Sequence, residues 1–510
     1  MVKSLQTHGL VLFHKTQSFW IALLVISLGI FLGFQFALSN ETVELVGSII
    51  FLVLLLPFVI SRPLTGLLLL VVLTAFIEEW VEIPLGAGIP DLSFSRFIIA
   101  FMGIAMLAKA AVGRFRFVTP LGWADVAIVL TLLGIMSSAP LADSPTGVLQ
   151  NTLSRFLTPM VLYFFARNFV RSREDLQKVL YAILIFGVLA SLYAVYEYTT
   201  GHILFVSKET SVEDLNTAYT ASLRLIRGLL GRSGNFGRVL ASTIPVSFYL
   251  FFEQKQARLK LLLIAAIALQ FFVLFISYNR ASWYAVLISL SIIQLFYAQF
   301  RKLYILIVLV AGLALWATWD QINESTVVQE RVDHRTENFN GRTPRWQAAY
   351  NMWKEKPIRG WGPDAFKERS GQFRIDGSSS NFRDGAIEND YLSLMVETGL
   401  LGLIPYLLFL LVPLFNSIYL FFLARSPDWT GFVKADTITI YWCAIISFLI
   451  TSYTQIQSQA VVRMLPFVLA GAIVGSHLPQ LSAARRSRRL KDRVLNKVRV
   501  PARSLENSPG

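Results

Sequence analysis

Charge is what this chain is short of. Only 15% of its 510 residues are Asp, Glu, Lys or Arg, against 55% hydrophobic, where a soluble domain carries about 25% charged residues. That deficit excludes an ordinary water-facing globule. Cysteine is nearly absent too: Cys443 stands alone inside an apolar span, which rules out a disulfide framework or a thiolate metal site and makes it a small buried hydrophobe. There is no Walker A loop, no Rossmann glycine fingerprint, no Asp-x-Asp pair outside the spans, no internal repeat and no low-complexity tract. No metal and no cofactor are therefore expected. The amino terminus has no small-residue cleavage site, so Trp20–Ala37 reads as a retained span.

What is present is a succession of apolar stretches of roughly 17–25 residues, the length that crosses a hydrocarbon core of about 30 Å. The expected fold is all-α, a polytopic membrane protein of about fourteen transmembrane helices. The spans fall near 18–37, 44–60, 64–80, 95–112, 122–138, 156–170, 176–196, 239–253, 259–277, 281–299, 303–319, 391–423 (with a break), 437–456 and 462–479. Basic residues mark alternate connections: Arg62; Lys109, Arg114 and Arg116; Arg167, Arg171, Arg173 and Lys178; Lys255, Arg258 and Lys260; Arg301 and Lys302; Arg425 and Lys434. Connections so marked should be cytoplasmic. The even count then puts residues 1–17 and the tail 480–510 inside, where Arg485 to Arg503 supplies a basic run beside anionic lipid rather than a nucleic-acid arm. Two segments are left outside, a loop at 199–238 and a large loop at 320–390 between spans 11 and 12.

The large loop is balanced in charge, too rich in both signs for lipid contact. Arg345–Trp353 reads as an amphipathic helix with Trp346, Ala349, Tyr350 and Trp353 on one face, stopped by Pro357 and the Gly360/Gly362 turn. Arg96, Arg155, Arg224, Arg227, Arg232, Arg238, Arg280, Arg342, Arg345 and Arg463 all fall on the outer side, many at span ends. An arginine fork grips phosphate oxygens bidentately and stays charged when desolvated, so the set suggests a pocket for a phosphorylated, lipid-linked anion. Snorkelling or helix capping accounts for each one singly. His202 and His334 read as surface residues, and Trp346, Trp353, Trp361 and Phe366 either stack on sugars or form the loop's own core.

In order along the chain, Gly234-Asn235 followed by Pro245, Ser277-x-x-Arg280-Ala281, Gly341-Arg342-x-x-x-Trp346, Pro357-x-x-Gly360-x-Gly362 and Glu388-Asn389 before Gly399-x-x-Gly402 resemble the O-antigen ligase/polymerase superfamily of membrane glycosyltransferases. The departure is Glu388, which stands where the ligases of that superfamily carry histidine. The resemblance implies a Wzy-type polysaccharide polymerase or a ligase-like transferase in the bacterial inner membrane. Such an enzyme moves glycan repeats from a polyprenyl-diphosphate donor to a glycan or lipid acceptor on the outer face, without nucleotide sugar, with a chain-length regulator as a candidate partner. Glu388 is the expected base and Arg280 and Arg342 the diphosphate clamp, although Glu388 also reads as a helix-end charge. Arg345, Trp346, Asn389, Arg232, Asn235 and Asp384 are expected around the substrate, with Asp390 in reserve. A transporter, such as a lipid-linked oligosaccharide flippase or a small-anion carrier, is the competing class.

Overall fold

The computed structural model describes residues 41–78, 82–83, 86, 91–141, 148–149, 152–204, 219–220, 223–224, 226, 229–231, 233–296, 298–317, 342–373, 387–455 and 460–487. The expected span at 18–37 and most of the basic tail lie outside them, as do Arg227, Arg232, His334 and Asp384. The described chain is helical: α1 (Glu41–Ser61), α2 (Pro63–Ile77), α3 (Phe94–Ala111), α4 (Trp123–Ser138), α5 (Thr158–Phe169), α6 (Arg173–Thr200), α7 (Ser233–Glu253), α8 (Ala257–Ile276), α9 (Arg280–Phe296) and α10 (Ala298–Ala317). After these come α11 (342–355), α12 (Ala365–Arg369), α13 (Asp390–Leu423), α14 (Ala435–Thr454) and α15, which starts at Ala460 and continues through a π turn to Ser487. Two antiparallel strand pairs, Glu82–Ile83 with Leu92–Ser93 and Tyr219–Thr220 with Leu223–Arg224, are minor clips between helices.

The described parts of the expected spans from the second onward lie largely on helices. Seven helices among the described residues are long and apolar enough to cross a membrane, α3, α4, α6, α8, α13, α14 and α15, and the chain is a multi-pass membrane protein. The smaller of the two expected loops shrinks, because α6 runs to Thr200 and α7 begins at Ser233, taking Gly234, Asn235 and Arg238 into a helix. Arg167, expected in a basic connection, is instead fully buried in the last turn of α5, paired with Asp125 and donating to the Val118 and Pro120 carbonyls.

The core is built around α7, which is buried on every face from Gly234 to Leu250 and packs against α6, α8, α9, α14 and α15. In an apolar solvent, helices gain little from hiding leucine, so small residues and interhelical hydrogen bonds carry the association. Gly187 of α6 meets Thr243, Gly237 meets Ser282, and Gly134 of α4 lies against the Leu401 carbonyl of α13. Gln270 links Thr243 and Ser247 across α7 and α8, Tyr249 bonds Thr437 at 2.9 Å, and Ser289 bonds Ser447 at 2.7 Å. Cys443 is buried as expected, its thiol donating to the Ser289 carbonyl at 3.3 Å.

The break expected in the 391–423 span is real and has a cause. Gly399 sits at φ 61° and ψ −158° inside α13, a region essentially confined to glycine. The interruption frees the N–H groups of Leu400 and Leu401 and the carbonyls of Val396 and Glu397. The turn after α11 takes all four: Pro357 and Ile358 accept from Leu400 and Leu401 at 2.9 and 3.1 Å, and Trp361 and Gly362 donate to Val396 and Glu397 at 2.9 Å each. Irregular backbone is tolerated at membrane depth only where protein satisfies it. The Pro-x-x-Gly-x-Gly and Gly-x-x-Gly sequences are thus two halves of one joint.

A Cβ at Gly399 would collide with the Ile358 carbonyl, and one at Gly360 (φ 70°) would meet Glu397. Gly399→Ala should therefore lose about 2–4 kcal/mol through strain and overpacking, read as a lowered Tm in detergent. Gly371→Ala, where a Cβ meets open space, should be neutral; equal Tm values would contradict the joint.

Candidate active site

The turn ties the end of α11 to α13. Its core is Ala348, Ala349, Met352, Trp361, Ala365, Phe366, Ile387 and Val396, so the buried face is rotated from the expected one. Tyr350 is exposed, tilted against Trp353, with the Lys354 ammonium 4.5 Å from its ring. Trp361 and Phe366 are spent in this core. Trp346 is only half-buried and is held by its indole N–H, which donates to the Ile387 carbonyl at 2.7 Å.

That bond places Trp346 beside Glu388. Arg342 opens α11 one turn earlier, and its Nε donates to Glu388 Oε2 at 2.5 Å, both side chains about one-third exposed. Glu388 itself stands at φ 54°, an uncommon conformation for a side-chain-bearing residue. Two expected residues from distant parts of the sequence are thereby in contact at a rim open to solvent.

The segment is anchored from below. Asn389 caps α13, its side chain accepting from the Leu392 N–H at 3.0 Å, and is buried. Asp390 follows at 1% exposure and binds two arginines. Arg463 of α15 donates to both of its oxygens, at 2.7 and 2.8 Å, and Arg155, in the π turn before α5, donates at 2.9 Å. Arg155 also faces Glu397 at 3.6 Å, and Ser393 donates to Glu397 at 2.8 Å. Asp390 and Glu397 are seven residues apart, two turns along one face of α13. Two guanidinia and two carboxylates close a neutral cluster, with the Arg463 fork 4.4 Å over the Phe156 ring. Arg96 extends it, donating to Ser154 at 2.6 Å.

Other expected residues fare differently. Arg280 is the exposed first residue of α9 and makes no ion pair among the described residues. Its neighbour Asn279 faces Gln455 at 3.4 Å, and Gln455 accepts from Arg238 at 2.5 Å. Arg345 is half-buried on α11, also without an ion pair among the described residues. Asn235 was expected at the substrate but is fully buried, and its amide donates to the Leu230 carbonyl at 2.5 Å; it fastens the turn before α7. Asn389 likewise spends its side chain on the cap. Arg232 and Asp384 lie outside the described residues. Arg155, Arg463 and Glu397 were not foreseen together. The signal available was that an arginine at membrane depth needs a carboxylate, and Asp390 and Glu397 share a helix face.

The comparisons with known proteins fall on this same region. Residues 237–407 match the family described as O-antigen ligase. The match runs from α7 into α13 and includes Arg280, Arg342, Trp346, Glu388 and Asp390, but not Arg155 or Arg463. An uncharacterized protein of Haemophilus influenzae is 27% identical over 202 residues, 36% of this chain and 50% of that protein. The chain thus spans about half the length of the curated relative it matches. The match over residues 237–407 supports membership of the O-antigen ligase/polymerase superfamily.

Proposed function

We propose that this protein transfers or polymerises glycan repeats carried on a polyprenyl diphosphate, on the outer face of the bacterial inner membrane. The observation that carries the reading is the Arg342–Glu388 contact at the solvent-open rim of an apolar bundle, inside the segment similar to the O-antigen ligases. The acceptor hydroxyl gives its proton to Glu388 as its oxygen attacks the anomeric carbon. The bond from that carbon to the diphosphate breaks, and the electron pair leaves with the diphosphate. Arg342 reaches Glu388 through Nε, which directs its two Nη groups to the departing phosphate oxygens, and the exposed Arg280 adds a second fork. The leaving group supplies the driving force, so no nucleotide sugar enters.

The reading is tested with protein reconstituted in liposomes and given polyprenyl-diphosphate-linked oligosaccharide alone. Single lipid-linked repeats should disappear into longer or transferred glycan, and Arg342→Lys should lose most of this activity because a point charge does not reproduce the fork. Donor that crosses the bilayer without being consumed would make the protein a flippase instead.

In this orientation both termini are cytoplasmic, about fourteen spans cross the bilayer, and the 320–390 insert is outside. Cysteines placed at the exposed positions Gly371 and Ser487 should label differently with an impermeant thiol reagent on spheroplasts, the first strongly and the second only after lysis. Cys443 is buried and gives little background. Equal labelling before lysis would refute the orientation.

A further inference from the structure

We infer that Tyr453, cornered by Trp346, forms the subsite that seats a pyranose ring of the acceptor glycan. Tyr453 stands in the last turn of α14 with 55% of its surface exposed. Its ring and that of Trp346 are 5.5 Å apart with their planes at 66°, so they make an open corner rather than a closed stack. A pyranose presents a face of C–H bonds to which the electron-rich face of an aromatic ring is complementary, while its hydroxyls point sideways and need polar partners. Both kinds of partner are at this corner. Trp346 is bonded to the Ile387 carbonyl, next to Glu388, and Arg342 lies one turn away. Gln455 follows Tyr453 by two residues, and its side-chain oxygen is already taken by Arg238 and Asn279.

Among the described residues, the insert's other large rings are otherwise engaged: Trp361 and Phe366 are buried in its core, Phe373 packs edge-on against Trp361, and Trp353 faces Tyr350. A tyrosine at a helix end in a membrane protein also serves as an interfacial anchor. Tyr453 is instead packed on the insert that carries the charged pair. The ring that lies there is the acceptor's, because the residue beside the corner is the carboxylate that must touch the acceptor hydroxyl. This assignment rests on the transferase reading and extends it to a substrate.

The test uses protein in nanodiscs and, as probe, the lipid-free oligosaccharide released by mild acid from the producing cell's lipid-linked repeats. Binding is followed by saturation-transfer NMR, with tryptophan fluorescence checking that Trp346 keeps its surroundings. Tyr453→Phe and Tyr453→Trp keep a ring face and should bind the probe nearly as the parent does. Tyr453→Leu, similar in bulk but without the face, should weaken binding about 10-fold. In the transfer reaction the same variant should raise the acceptor KM by that factor and leave the donor KM and kcat nearly unchanged. If the leucine variant binds as the parent does, or if phenylalanine is as damaging as leucine, the subsite is wrong. Probe binding that depends on the ring, without any consumption of lipid-linked donor, would instead refute the transferase reading alone.

Discussion

Replacing Glu388 with glutamine will reduce transfer about 10²–10⁴-fold, the size of a general-base contribution, while the protein still folds. Glutamine keeps the carbonyl oxygen that accepts from Arg342 Nε and removes only the capacity to take a proton. The ion pair it weakens is about one-third exposed on both sides, and such pairs are worth about 0–1 kcal/mol after solvent screening. Activity and stability should therefore separate: turnover collapses, while Tm hardly moves and the lipid donor is still retained. Glu388→His should keep part of the activity, since a neutral imidazole near physiological pH accepts the same proton. A glutamine variant that polymerises at the parental rate would reduce Glu388 to a charge that orders Arg342, and the base would have to be sought elsewhere along the rim.

Much of the architecture was legible in the chain because its cause is local. Apolar runs long enough for a bilayer became helices, Cys443 became a packed core residue, and the glycines at 360 and 362 marked the turn that ends α11. What local reading misses is pairing. Asp390 meets Arg463 and Arg155 from 73 and 235 positions away, and no spacing rule in one helix selects those partners. The same holds for Tyr453 against Trp346, which lie 107 positions apart on different helices. Two expected site residues spend their side chains on backbone groups, because similarity to a motif says nothing about where a side chain points. Asn235 and Asn389 are both turned inward to backbone groups, and for Asn389 an elementary rule was available: an asparagine immediately before a long apolar run is first of all an N-cap. Arg342 and Glu388, by contrast, do meet. Both lie where a polar insert returns to the bundle, and opposite charges on a solvent-open rim can find each other without desolvation deciding the outcome.

The buried cluster beneath that rim should behave quite differently from the exposed pair above it. Asp390→Ala leaves two guanidinia out of water with only Glu397 to answer them, and removing one partner of a buried ion pair costs about 3–5 kcal/mol. Arg463→Gln should cost a similar amount, since Asp390 then loses the fork that donates to both of its oxygens. The two losses share a cause, so a double-mutant cycle of Asp390→Asn and Arg463→Gln should show that together they lose far less than their sum, a coupling of about 1–3 kcal/mol. Simple additivity in thermal or denaturant unfolding would mean that the arginines do not depend on Asp390. A second consequence follows from position. Asp390 is two residues from Glu388, and α5, α13 and α15 meet at its carboxylate. Any Asp390 variant stable enough to purify should therefore hold its donor yet turn over slowly, because Glu388 is no longer held at φ 54° against Arg342. Near-attack distances of about 3–3.5 Å leave little room for a displaced base. Full turnover in such a variant would show that the cluster stabilises the fold and does nothing for the geometry of the rim.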